Sequence, residues 1–174
     1  MTAPLLGRLD ARDRALLLRC VIAPTASRRS RLAWTVVTHL GGSGPTVAAA
    51  VVPWFQCCAL HSASRLALAT LVASHLVVQV IKRTVVRRRP EESGLRAALV
   101  TEPDRFSFPS GHAAAAMSVA VGYGVTFPAL GLPLLVLAAL VGFSRVRLGV
   151  HFPGDVLAGE LIALTTGGLV LAFG

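Results

Sequence analysis

Charge is scarce in this chain. Only 14% of its 174 residues are Asp, Glu, Lys or Arg, while 54% are hydrophobic, too apolar a balance for an ordinary soluble domain of this length. Acidic residues are the scarcest class, 8 against 17 Lys+Arg, giving a formal net charge of +9. A basic excess can be the footprint of a nucleic-acid binder. Here the basic stretches connect apolar runs of nearly membrane-spanning length, so they suit anionic lipid headgroups, not nucleic acid. Cysteine is limited to Cys20, Cys57 and Cys58, which make neither a metal-ligand spacing nor a disulfide framework, and the adjacent pair reads as helix packing. Lysine is rarer still: Lys82 stands alone beside 16 arginines. The opening MTAPLLGRLDARDR lacks the charged, apolar and small-residue order of a cleaved signal peptide. No internal repeat is evident, and the length suits one domain.

The apolar runs set the expected architecture, all-α and embedded in a membrane. Residues 1–40 form an Arg-rich arm in which DRALLLRCVIAP is too short to span and reads as an amphipathic interfacial helix. After GGSGPT at 41–46, residues 41–174 are expected to form a bundle of about five transmembrane helices. The first is VAAAVVPWFQCCAL, then HSASR is a turn and LALATLVASHLVVQVI the second. A charged loop follows, a third span runs from about 110 to 126, a fourth ends near Ser144, and a fifth covers about 154–173. Trp34 and Trp54 read as interface anchors. Alternate crossing puts Lys82, His112, Arg145 and Asp155 at one face of the membrane.

Three motifs converge on that face: K-x6-R-P at Lys82, Arg89 and Pro90; P-S-G-H at Pro109 to His112; and S-R-x5-H-x3-D at Ser144, Arg145, His151 and Asp155. Together and in this order they resemble the phosphatidic acid phosphatase type 2 superfamily, which includes lipid phosphatases, bacterial acid phosphatases and vanadium haloperoxidases. Every signature position is filled, and the resemblance extends over roughly residues 40–170.

The residue chemistry agrees with the resemblance. Phosphoryl transfer is catalysed mainly by positioning and charge stabilisation. Lys82, Arg89 and Arg145 supply positive charge, and arginine adds a planar fork for two oxygens. The Ser110 hydroxyl and the amides of Gly111 and His112 can donate at a helix start, where the dipole favours an anion. Gly111 also lets the backbone approach the phosphate closely. The resemblance implies that His151 is the nucleophile, forming a phosphohistidine, with Asp155 holding its tautomer. It implies that His112 protonates the leaving group and then activates water. No metal and no cofactor is called for, because cationic side chains replace it.

Further residues are candidates for substrate contact. His75 and Gln79 share a helix face with Lys82, where a channel lining and polar bundle packing are both open readings. Arg147, inside the third motif, could touch a second phosphate or a sugar phosphate. Glu160 is expected to pack or snorkel. Counting Lys and Arg, the motif face carries 16 and the opposite one only Arg65, and the arm with Arg28, Arg29 and Arg31 adds to this bias, so the positive-inside rule puts the site on the cytoplasmic face. The expected function is hydrolysis of a phosphomonoester or pyrophosphate of a membrane lipid. The first substrate candidate is polyprenyl-linked, decaprenyl-phosphoryl phosphoribose or a polyprenyl pyrophosphate of bacterial cell-wall synthesis; phosphatidylglycerol phosphate and phosphatidate are the alternative. Vanadate-dependent halide oxidation, a transporter and a non-enzymatic lipid-binding protein are the competing classes.

Overall fold

In a computed structural model, the described residues are 3–23, 25–56, 58–95, 98–100 and 104–174, with side chains from residue 10 onward. They form α1 (Ala3–Cys20), α2 (Arg28–His39), α3 (Ser43–Val51), a 3-10 turn (Val52–Phe55), α4 (Cys58–Thr84), α5 (Gly111–Thr126), α6 (Pro128–Arg147) and α7 (Pro153–Phe173). Among the described residues the only bridge of β type is the isolated pair Arg88 and Phe106.

Three described helices, α4, α6 and α7, are long and apolar enough to cross a membrane. At 1.5 Å per residue, the 27 residues of α4 reach about 40 Å, more than a hydrocarbon core of about 30 Å. Their outer faces expose Leu76, Val80, Leu132, Val136, Leu157 and Leu161, a continuous apolar surface of the kind lipid covers. The 16-residue α5 is the central helix, touching α3, α4, α6 and α7. Small residues let it sit there: a Cβ at Gly122 would collide with the backbone of Ala67 on α4, so the two backbones approach more closely than side chains permit. Hydrogen bonds then link the helices inside. Ser74 and Ser118 hydroxyls are 2.8 Å apart, and the Ser64 hydroxyl donates to Ala50 O at 2.9 Å.

The first expected span is not one helix. Residues 47–60 contain the end of α3, the 3-10 turn and the start of α4. Pro53, at the head of the 3-10 turn, has no amide hydrogen to continue α3 and constrains the residue before it. The reversal therefore falls at 52–56, and HSASR lies within α4 instead of making a turn. Its Ala63 and Ser64 are buried, facing α3. His61 closes the corner, its Nδ1 2.9 Å from Trp54 O and its ring 4.8 Å from the Trp54 ring. Cys57 lies outside the described residues.

The arm holds two helices where one was expected. Ser27 caps α2 by accepting from the Ser30 amide at 3.2 Å, a standard N-cap. Helix α2 lies along α6, with Trp34 edge-on to Phe143 at 5.7 Å. Helix α1 touches α6 and α7, and its fully buried Leu17 packs with Ala113, Val146, Phe152 and Val156. The arm thus caps the end of the bundle where α4 and α6 finish and α5 and α7 begin.

Candidate active site

The chain arrives at that end four times, and each arrival delivers a motif residue. Lys82 sits in the last turn of α4, buried at 5% exposure. The segment after it places Arg89, whose Nη1 donates to Val150 O at 2.9 Å. Ser110 is the N-cap of α5, and its amide donates to Asp155 O of α7 at 2.9 Å. A Cβ at Gly159 would overlap the Ser110 carbonyl, so α7 presses on the start of α5 only because that residue is glycine. A Cβ at Gly111 would meet no atom within 4 Å, and Gly111 lines an open groove. Between α6 and α7 the chain turns at Gly149, whose φ of 75° is the left-handed region open to glycine, and this turn delivers His151.

His151 is 1% exposed, and its neighbours define its tautomer. Its Nε2 lies 3.3 Å from Arg89 Nη1, a donor, so that nitrogen carries the lone pair. Its Nδ1 is 3.5 Å from Ser107 Oγ and 3.6 Å from Asp155 Oδ2, so the proton belongs there. Ser107 donates a very short hydrogen bond to Asp155 Oδ2, which also accepts from the Phe152 amide at 2.9 Å. Burial pushes the His151 imidazole down to about 4; Asp155 opposes that, and the cations Arg145 and Arg89 reinforce it. The ring is therefore neutral at pH 7, with its Nε2 lone pair directed at Arg89.

Arg145 is buried at 1% exposure, and its Nη1 donates to Thr38 of α2 at 2.6 Å. Lys82 Nζ donates to Asp104 Oδ2 at 2.7 Å and Arg89 Nη2 to Asp104 Oδ1 at 2.6 Å. One carboxylate thus occupies two cations of the expected phosphate cradle. Burial raises the Asp104 carboxyl, but Lys82 and Arg89 outweigh that and hold it below the usual carboxylate range. A phosphate reaching this pair has to displace Asp104. Replacing Asp104 by asparagine is expected to tighten inorganic phosphate about tenfold, roughly the 1.4 kcal/mol of one charge-assisted contact no longer competed for. Competitive inhibition by phosphate measures this, and unchanged inhibition would count against the displacement.

An apolar groove of about 510 Å³ runs from this cradle between α3 and α4. Gly111, His112, Lys82 and Asp104 form its head, and His75 and Gln79 line its wall. His75 Nε2 and Gln79 Nε2 are 3.4 Å apart. Arg147 faces elsewhere: its Nη1 donates to Cys20 O at 2.8 Å and its guanidinium lies 5.3 Å from the centre of the Trp34 ring. Glu160 packs over Gly142 of α6.

Sequence reasoning missed Ser107 and Asp104. Both precede P-S-G-H in DRFSFPSGH, and a serine or aspartate in a polar loop carries no periodic or spacing signal. It also missed Arg87, which lies unremarked in the charged loop after the second expected span.

Comparison with known proteins places these motifs in a family. The pattern of the PAP2 superfamily matches residues 63–174. Over 102 residues the chain is 39% identical to the decaprenylphosphoryl-5-phosphoribose phosphatase of Mycobacterium tuberculosis, an alignment covering 58% of this chain and 55% of that protein. It is 30% identical to the undecaprenyl-diphosphatase BcrC of Bacillus subtilis over 104 residues, 60% of this chain and 54% of that one. The chain thus spans about half the length of the curated relatives it matches. Among solved structures, the transmembrane PAP2-type phosphatidylglycerolphosphate phosphatase of Bacillus subtilis superposes with a TM-score of 0.79 at 30% identity, covering 95% of this chain and 86% of that one. The fold is also that of Aquifex aeolicus LpxE, with a TM-score of 0.71 at 22% identity and coverage of 92% and 93%. With the family pattern matched over more than half of its length, the chain belongs to the PAP2 superfamily.

Proposed function

We propose that this protein is a membrane lipid-phosphate phosphatase working through a phosphohistidine. The observation that carries the reading is the His151 ring: Nε2 directed at Arg89, Nδ1 backed by Ser107 and Asp155, beside a cationic cradle at the head of an apolar groove. In the first step His151 Nε2 attacks phosphorus, a P–N bond forms, the ester P–O bond breaks, and the departing oxygen takes a proton from His112. In the second, His112 takes a proton from water, the hydroxyl attacks phosphorus, the P–N bond breaks and inorganic phosphate leaves. Lys82, Arg89, Arg145 and the amides of Gly111 and His112 stabilise the equatorial oxygens.

The lipid we infer is a polyprenyl-phosphoryl sugar phosphate. Two curated relatives, both named decaprenylphosphoryl-5-phosphoribose phosphatase, support this, and the polar pair on the groove wall is compatible with it. Gln79 and His75 lie about one and two helical turns below Lys82, where they can hydrogen-bond a sugar, a glycerol or a second phosphate next to the scissile group, so the relatives and not this pair single out the sugar phosphate. Phosphatidylglycerol phosphate is the second reading, supported by the 0.79 TM-score over 95% of the chain.

Five crossings are part of the proposal. Helix α3 and its 3-10 turn would be a short first one, since α3 runs beside α5 from Gly42, next to the His112 ring, to Ala49, whose carbonyl accepts from Tyr123 Oη at 2.7 Å. The arm's arginines support a cytoplasmic site and an arm in the headgroup layer. The test is phosphate release in EDTA from polyprenyl-phosphoryl phosphoribose, a polyprenyl pyrophosphate and phosphatidylglycerol phosphate. Preference for the first by about tenfold or more in kcat/KM, reduced by His75→Leu or Gln79→Leu, is the expected result. A preference for phosphatidylglycerol phosphate unaffected by those changes would establish the second reading.

A further inference from the structure

Behind His151 a line of alternating charges runs out to the N-terminal arm. Asp155, with 0% exposure, accepts from Arg87 Nη1 at 2.6 Å through its Oδ1. Arg87 Nη2 donates to Asp13 Oδ2 of α1 at 2.7 Å, and its guanidinium lies 4.1 Å from the centre of the Phe152 ring. Asp13 Oδ1 accepts from the Gly154 amide at 2.8 Å, so α1 also holds the first turn of α7. The Arg87 carbonyl accepts from the Ser107 amide at 2.9 Å. Arg87 therefore touches both groups that face His151 Nδ1.

We propose that Arg87 and Asp13 are positioning residues for the reaction, and that α1 belongs to the catalytic apparatus as the strut that holds Asp155 in place. This rests on the reading of His151 as nucleophile. A buried carboxylate without a cation is costly, and neutral His151 cannot supply one. Arg87 balances Asp155 through every state of the cycle, including the one in which phosphorylated His151 itself becomes cationic. Asp13 in turn fixes the arginine fork, which would otherwise rotate about its long side chain. Asp10 also reaches Arg87, at 3.1 Å, but it is 41% exposed and shared with Arg14; it is the outer and lesser partner.

The charges facing these groups set the expected pH response. Asp155 faces Arg87 from the segment after α4, Ser107 from the segment before α5, and His151 from the turn before α7; His151 also faces Arg89 and Arg145. Removing the Arg87 charge leaves Asp155 acting unopposed on His151, which makes the imidazole more basic. Its protonation, and the loss of activity it causes, then begins at higher pH.

The experiment uses the full chain in detergent, with Asp13→Asn, Arg87→Gln, Arg87→Lys and Asp10→Asn. Two readouts are taken: steady-state hydrolysis of the lipid panel, and thermal stabilisation by orthovanadate, a five-coordinate phosphate mimic that needs an oriented, neutral His151. Partners behind metal-ligating histidines contribute about 10–100-fold. Asp13→Asn is expected to lower kcat about tenfold and Arg87→Gln about 100-fold, each with KM within about twofold. Arg87→Lys, which keeps the charge but not the fork, falls between them, and Asp10→Asn has the smallest effect. Arg87→Gln also moves the acid limb of kcat/KM upward, and vanadate affinity falls in parallel with kcat. Asp13→Asn with wild-type kcat and vanadate affinity would overturn the strut, as would a loss confined to melting temperature with the pH profile unmoved. A wild-type protein that binds vanadate but hydrolyses none of the lipids overturns the substrate assignment alone, and the vanadate comparison still decides on Asp13 and Arg87.

Discussion

Replacing His151 by alanine is expected to lower kcat by roughly 10⁴–10⁶-fold, the scale for removing a covalent nucleophile. Charge stabilisation would survive, because Lys82, Arg89 and Arg145 keep their places, but no P–N bond can form. The measurement is phosphate release together with alkaline-quench trapping of phosphoenzyme: the wild type yields an acid-labile, base-stable adduct and the variant none. A variant retaining more than about 1% of turnover would make water the attacking group. The pH profile adds an independent check. With its imidazole held down to about 4 by burial and by Arg145 and Arg89, His151 stays neutral across the physiological range and becomes protonated only as pH falls toward 4. The sign follows: activity is present above that value and lost below it. Arg89→Gln removes one cation that disfavours protonation, so its acid limb moves to higher pH. The substrate's own phosphate ionisation, near pH 6, is common to both proteins and cancels in the comparison.

His112→Ala is the second large effect, expected at about 10²–10⁴-fold for a lipid substrate. Its diagnostic value lies in the leaving group. An alkoxide is a poor leaving group and needs the proton that His112 is proposed to deliver, whereas the phenolate of an aryl phosphate departs without one. The first step should then be nearly normal for an aryl phosphate, while the second still lacks a base to activate water. Phosphohistidine accumulates, visible as a burst followed by slow turnover. If His112→Ala slows aryl and alkyl phosphates equally and shows no burst, His112 serves binding and not proton transfer. Its position at the head of the groove with Gly111 and Lys82 is compatible with proton transfer to a lipid oxygen entering from that side.

Much of the architecture was legible because hydropathy is a local property. Runs of Leu, Val and Ala marked helices α4 to α7, three of which are long and apolar enough to cross a membrane, and counting alternate crossings brought Lys82, His112, Arg145 and Asp155 to one end, where the structure has them. The first span failed at Pro53: an apolar composition does not reveal where a backbone lacking one amide hydrogen will reverse. HSASR failed for the converse reason. Small polar residues mark turns in water, but inside a bundle Ser64 satisfies its hydroxyl on Ala50 O and stays helical.

By itself, then, the sequence determined the helical class, the membrane character and the three motifs, because each is written in neighbouring residues or in fixed spacings of a few positions. Only the tertiary structure decided how the charges pair. Asp104 lies on Lys82 and Arg89, Ser107 bridges toward His151 and Asp155, and Asp13 reaches Arg87 and Gly154 across 74 and 141 positions of sequence. Such pairings depend on which ionic groups the fold excludes from water together. A buried carboxylate takes whichever cation packing brings within about 3 Å, since the cost of leaving it alone exceeds any local preference. Helix α1 shows this most plainly: its sequence reads as an interfacial arm, and its fold puts the Asp13 carboxylate behind Asp155, with Arg87 between them.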